Sequence, residues 1–375
     1  MHRLPLPTAV KGDATLLHYA EKPSPIVGET RPRETSTFEV LTPRGHLNCT
    51  LTEPLARDCD AEPLKGVLIL IHAPPIGDSM SSPLTGLAQT LAVGTVRVDL
   101  TGCGASTGEP LCNSVDRDAD DIRCVVEHVR HMHSVSRLKA RAKGERLGDD
   151  TPAVLGLVGV GGGGTACVRY AALFLDDPLQ FIITIAARVS SCCALRDTLT
   201  WKQLDAMRDN EDVEVTLPLG PPPQPRRTLR VTQEDYDAVP DLSCAGSSSS
   251  HFLILHGSRD TVVLPAEAQA LDKMLAADGS NSRELRVLPG MGSAEPRAGD
   301  SSSMAGQEAT VAYAIGDWMW RKTHGDDGDG AASGFNIFVD DLGKRVREIH
   351  AEARGALPSI NNFDDDSDEE EEGKF

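Results

Sequence analysis

Residues 159–164, Gly-Val-Gly-Gly-Gly-Gly, follow an apolar run from Ala153 to Val158 and precede a helix-like pattern from Thr165 to Leu175. A strand, a tight turn and a helix in that order suit two kinds of chemistry. In G-x-S-x-G a strained turn holds a serine hydroxyl above a sheet, where it can attack a carbonyl. Gly159-Val160-Gly161-Gly162-Gly163 has that spacing with glycine in the serine's place. In G-x-G-x-x-G the turn lets a pyrophosphate reach the helix N-terminus. Gly159, Gly161 and Gly164 satisfy that pattern too. Four consecutive glycines fit many templates, so other segments must arbitrate.

A literal G-x-S-x-G occurs at Gly104-Ala105-Ser106-Thr107-Gly108, but no β-rich run leads into Ser106 and no helix starts at Gly108. A structural serine is expected there. His128, His131 and His133 do not share one helix face and lack a completing carboxylate pair, so they predict an amphipathic helix and no metal site. The strand after the glycines ends Ala186-Ala187-Arg188, without the acidic residue that a dinucleotide's ribose requires, although an arginine can meet a phosphate. No cofactor is expected.

The elements that must position these residues alternate. Thr37–Leu41 and Leu47–Thr52 flank a turn and predict an antiparallel hairpin. Gly66–His72, Thr95–Leu100, Ala153–Val158, Phe181–Ala186, Phe252–His256 and Leu285–Leu288 predict strands. Helices are predicted near Leu84–Leu91, over Val115–His133, from Thr165, over Pro265–Ala276 and over Gln307–Trp320. Strand and helix in alternation make a mostly parallel α/β sheet. Arg137–Arg146, with five basic residues in ten, is expected to be a solvated loop, and Ser247–Ser250 a flexible link. Residues 200–242 break the alternation with a short helix near Trp201–Met207, a hairpin around Gly220-Pro221-Pro222-Pro223 and a helical turn at Gln233–Ala238, and are expected to form a small lid.

Three segments follow: a poorly ordered lead-in at 1–34, a domain at 35–323, and an extension at 324–375 that ends in acid. The net charge is -19, of which Asp364–Asp366 and Asp368–Glu372 supply eight. Nucleic acid is therefore an unfavourable partner, whereas a basic partner suits the tail. Nine cysteines without C-x-x-C spacing indicate neither a disulfide framework nor zinc. With no leader-like start and no long apolar run, a cytoplasmic protein that neither enters nor spans a membrane is expected.

Four loops, His72–Pro75, Asp99–Gly108, His256–Asp260 and Leu288–Ser293, together resemble those of the α/β-hydrolase superfamily, in particular its dienelactone-hydrolase and serine-aminopeptidase types, and the resemblance covers residues 37–322. His72-Ala73-Pro74-Pro75 resembles the loop after the third strand that helps form the oxyanion hole. Asp99–Gly108 resembles D-x-x-G-x-G-x-S-x-G, with Thr101 where arginine is common and with its serine in a structural role. His256-Gly257-Ser258-Arg259-Asp260 resembles H-G-x-x-D, whose aspartate orients the catalytic histidine. Leu288-Pro289-Gly290-Met291-Gly292-Ser293 resembles the loop that delivers that histidine.

The resemblance implies hydrolysis of an ester, thioester or peptide, by a hydroxyl, an imidazole and a carboxylate acting as a unit. This chain keeps Asp260, but has Gly161 at the nucleophile position and Ser293 at the histidine position. Pro74 and Pro75 have no N–H to donate, which leaves Ala73, or a residue further along the loop, to partner the Gly162 N–H. The expected function is a non-catalytic relative that binds a small molecule or a protein in the inherited cleft. Gly162, Gly163 and Gly164 at a helix N-terminus would offer their N–H groups to an anion there. An active hydrolase with displaced catalytic groups and a dinucleotide-dependent enzyme are the alternatives.

Overall fold

A computed structural model describes residues 35–53, 66–75, 77–142, 153–190, 199–209, 211–218, 226–276, 282–294 and 307–324. The predicted lead-in, the tip of the 220–223 hairpin and the acidic tail lie outside the described residues.

The predicted hairpin is present as β1 (Thr35–Thr42) and β2 (Gly45–Thr52), paired antiparallel from Thr35 against Thr52 to Thr42 against Gly45. Strands β3 (Val67–Ile71), β4 (Gly94–Val98), β5 (Val154–Val160), β6 (Phe181–Ile185), β9 (His251–Gly257) and β10 (Arg283–Leu288) run parallel to one another, and β2 joins them antiparallel to β4. Across the sheet the order is β1-β2-β4-β3-β5-β6-β9-β10. A second sheet, β7 (Val213–Pro218) with β8 (Arg226–Val231), belongs to the insertion.

The central strands are apolar on both sides because both faces are covered. Ile69 and Ile71 pack on one face with α2 (Val115–Ala142), α3 (Gly162–Leu173) and α6 (Pro265–Ala276). Leu68 and Leu70 pack on the other with α1 (Ser82–Thr90) and α7 (Glu308–His324). On β5 this alternation slips between Val154 and Leu157, where the pairing with β3 shifts register and leaves Leu155 as an extra residue. Each fully buried aliphatic side chain contributes roughly 1.5–3 kcal/mol.

Three sequence expectations change. Strand β5 runs to Val160 and α3 begins at Gly162, so Gly159 lies in the strand and Gly162–Gly164 form the helix's first turn. Helix α2 continues to Ala142, so the first half of the basic stretch is helical, since arginine, lysine and alanine are good helix formers. The serine run is no link. Ser247 closes a 3-10 turn, Ser243–Ser247, while Ser248 and Ser250 are buried and Ser250 Oγ donates to the Leu179 carbonyl at 2.6 Å. The insertion carries α4 (Trp201–Arg208), β7, β8 and α5 (Gln233–Asp237), with capping boxes at Thr200 and Thr232. Its apolar side chains form a separate cluster with Cys112.

Candidate functional site

Ligand sites in such sheets lie at the C-terminal ends of the parallel strands, where the loops after β3, β4, β5, β9 and β10 converge. At the centre is the turn from β5 into α3. Gly161 has φ 54° and ψ -122°, a positive-φ conformation that strains any side chain. Its N–H donates to the Ile185 carbonyl at 2.9 Å, and its carbonyl accepts from the N–H groups of Gly164 at 3.0 Å and Thr165 at 3.3 Å. The glycines on either side are needed for closeness. A Cβ at Gly159 would stand 2.3 Å from the Gly163 carbonyl oxygen, and one at Gly163 would stand 2.1 Å from that of His72. The turn therefore has the form of an elbow, with a glycine at its apex.

This close packing seats the helix N-terminus on the loop after β3. A Cβ at Gly162 would lie 3.3 Å from the Pro74 carbonyl oxygen, so Gly162 stands close to the loop after β3. The Ala73 carbonyl accepts from the Gly77 N–H at 2.7 Å, which closes that loop. The three glycines are not equivalent towards an anion. Gly163 and Gly164 are buried and the Gly164 N–H is taken by Gly161, whereas Gly162 is partly exposed.

His72, next to Ala73, is fixed by a different task. Its Nε2 accepts the Leu100 N–H at 3.1 Å, which requires an unprotonated nitrogen. Burial lowers its pKa, against the opposing pull of Asp99. Asp99 ties the neighbouring loops: Oδ1 accepts from the Ser79 N–H at 2.6 Å, and Oδ2 from the Ala105 N–H at 2.9 Å and Asn48 Nδ2 at 3.2 Å. Ser106 is a strut, its Oγ donating to the Asp99 carbonyl at 2.6 Å and accepting the Asn48 N–H at 2.8 Å. Its hydroxyl is committed to the main chain. Asn48, on β2, carried no sequence signal for this role.

Asp260 stands after β9, 3% exposed. Oδ1 accepts the N–H groups of Val262 at 2.8 Å and Val263 at 2.9 Å. Oδ2 has no hydrogen-bond partner among the described residues, and His256 Nε2 lies 4.0 Å away. That nitrogen stands 2.8 Å from the Val263 carbonyl, to which it donates. The loop after β10 is laced to the acid loop by Ser258 N–H to the Leu288 carbonyl at 3.0 Å, Arg259 N–H to the Met291 carbonyl at 2.9 Å, and Gly290 N–H to Ser258 Oγ at 2.9 Å. Residues 288–291 are thereby held beside the acid loop, and position 293 follows two residues on. It carries a serine that is 1% exposed.

The dinucleotide pattern fares differently. Its first glycine should make the tight turn, yet Gly159 is paired within β5 against Thr184 and Ile71. Beyond β6, the Arg188 carbonyl accepts Thr165 Oγ1 at 2.6 Å and its N–H donates to the same hydroxyl at 3.2 Å, which latches this segment to α3. On α2, His128 stacks on Phe38 with ring centroids 5.5 Å apart. No group of three or more potential metal ligands occurs among the described residues. Among the same residues, no helix is long and apolar enough to cross a membrane.

No protein-family model matches the chain, and no curated protein matches it in sequence. In structure it is similar to Est1E from Butyrivibrio proteoclasticus, at 18% identity and TM-score 0.50 over 76% of this chain and 98% of that one. It is also similar to an α/β serine hydrolase homologue from Coxiella burnetii, at 16% identity and TM-score 0.45 over 75% and 95% of the two chains. A third is XC6422 from Xanthomonas campestris, described as a member of the α/β serine hydrolases without lid, at 16% identity and TM-score 0.45 over 78% and 98%. With its strand order, its elbow and its likeness to Est1E, the chain has the α/β-hydrolase fold.

Proposed function

We propose that this protein performs no serine-type hydrolysis and acts by holding a ligand or a partner protein in the cleft at the C-terminal edge of its sheet. The observation that supports it is Gly161 at the elbow's apex, in the backbone conformation that elsewhere aims a nucleophile but with no side chain to aim. Ser293, at the position where the resemblance implies a histidine, adds the loss of the base. Removal of either nucleophile or base from such a unit costs on the order of 10⁶ in rate. The two histidines at this edge of the sheet do not replace it, since Nε2 of His72 and of His256 are both engaged with the main chain.

A fluorophosphonate is expected to leave the purified protein unlabelled. Stoichiometric labelling of a serine in the cleft would overturn the proposal. Conversely, Gly161→Ser combined with Ser293→His should introduce weak esterase activity if Asp260 is placed as the resemblance implies. A second reading, an active hydrolase with displaced catalytic groups, is supported by the fold neighbours described as serine hydrolases. Labelling decides between them.

A further inference from the structure

We propose that this protein forms a two-fold symmetric dimer in which the outer edge of β1 pairs antiparallel with β1 of a second copy. The inference stands apart from the non-catalytic reading, since none of its residues belongs to the cleft.

Strand β1 ends the sheet, with β2 on one side and, among the described residues, no strand on the other. In an antiparallel pair, successive residues turn their N–H and C=O groups alternately toward the partner strand and away from it. On β2 the groups of His46 and Asn48 turn away from β1. The His46 carbonyl accepts the Thr107 N–H at 3.0 Å and its N–H donates to Thr107 Oγ1 at 2.8 Å. The Asn48 carbonyl accepts the Asp99 N–H at 2.9 Å and its N–H donates to Ser106 Oγ at 2.8 Å. Leu41 and Glu39 stand opposite these two residues, so their main-chain groups turn to the free edge, and Thr37 and Thr35 follow at the same period. All four side chains are exposed as well, that of Leu41 at 73%.

Such an edge is a template for another strand unless charge, proline or a bulge guards it. The opposite edge of the sheet is guarded: β10 carries Arg283, Glu284 and Arg286, which pair with Asp272, Arg321 and Asp317 respectively. Strand β1 has Glu39 as its one charge, no proline and an unbroken register with β2, and five of its eight residues are the strand formers Thr, Phe and Val. The stretch of chain just before it is a poor substitute for a second copy, because Pro23, Pro25 and Pro32 have no N–H to give a ladder.

A second β1 suits the edge because identical antiparallel strands satisfy a two-fold axis, which closes the assembly at two copies. The position of that axis follows from the residues. An axis at Glu39 sets like charges opposite one another, and an axis at Val40 sets Thr37 against Pro43. An axis at Phe38 alone maps the four outward residues onto one another, Glu39 facing Thr37 and Leu41 facing Thr35. It also sets the two Phe38 side chains, each partly buried, opposite one another as an aromatic cross-strand pair.

The test is sedimentation of the full chain over a concentration series, together with amide hydrogen exchange along β1. A monomer–dimer equilibrium is expected. The Thr37, Glu39 and Leu41 amides should gain protection as concentration rises, while those of Phe38 and Val40, which turn to β2, stay protected throughout. Thr37→Pro removes an outward N–H that the monomer does not use, and should weaken dimerisation at least about tenfold. Should that variant fail to fold, Leu41→Lys places an ammonium on the edge and should weaken it in the same sense. Denaturation midpoints of both variants report whether the monomer is intact. A chain that stays monomeric at millimolar concentration, or a dimer that persists undiminished in the folded variants, would overturn the inference. So would outward amides protected equally at every concentration, which would show the edge covered by residues of the same chain.

Discussion

A single backbone conformation separates the two serine-like motifs of this chain. Ser106 has the literal sequence but lies in a loop where its hydroxyl joins Asp99 to Asn48, whereas Gly161 has the elbow and lacks the hydroxyl. At φ 54° and ψ -122° glycine relieves strain that a side chain would introduce. Gly161→Ala should therefore lower stability by about 1–3 kcal/mol in urea denaturation; an unchanged midpoint would show that the turn relaxes without cost. Gly163 tolerates less, because its would-be Cβ meets main chain and not a movable side chain. Asp260 was legible in the sequence because H-G-x-x-D has rigid spacing at a strand end. Its unserved Oδ2 was not, since which oxygen meets which N–H depends on the path of the loop from Asp260 to Val263.

Helix α2 shows how an element stores a pH response in its first turn. The Asp118 N–H donates to the Ser114 carbonyl at 2.7 Å, and Oδ2 accepts Ser114 Oγ at 2.8 Å inside the fold. Burial raises its pKa to about 7, opposed by the Ser114 hydrogen bond and Arg117, reinforced by Asp121 and lightly opposed by Arg44. The folded state thus binds this proton more tightly than the unfolded chain does. Its contribution is most favourable below about pH 4 and is lost as pH rises through about pH 7. Asp118→Asn, which keeps an acceptor for Ser114 Oγ, should be more stable than the parent at about pH 8 by on the order of 2–4 kcal/mol. That gain should shrink or reverse near pH 4. Denaturation curves at both pH values decide it, and a pH-independent difference would exclude the titration of Asp118 as its source. The helix itself was legible from the apolar spacing of Ala119, Ile122 and Val126. Its end was not, because beyond His133 no apolar stripe marks the period. The strands β5 and β9 were clear for the opposite reason, being apolar on both faces.

At the scale of the molecule, three apolar clusters divide the stabilising work unequally. Two cover the faces of the eight-stranded sheet, and the third holds Cys112, Met207, Val213, Val215, Leu229 and Val231 within the insertion and the loop after β4. The alternation of strands and helices was legible along the chain, but the order across the sheet was not, because apolar runs do not say which strand lies beside which. For the insertion the hairpin was legible from its glycine and prolines, whereas its seat on Cys112 was not. A two-stranded sheet is marginal by itself. With Val213 opposite Val231 and Val215 opposite Leu229, β7–β8 relies on one small cluster and, among the described residues, shares no strand pairing with the main sheet. Its amides should therefore exchange with solvent by local opening, at least about 100-fold faster than those of Ile182–Ile185 in β6. Leu229→Ala, which empties part of that cluster, should cost about 2–4 kcal/mol in the opening of β7–β8. The same change should leave the exchange of β5 and β6 unaltered. Equal protection of the two sheets, with Leu229→Ala loosening both together, would show instead that the insertion and the main sheet unfold as one unit.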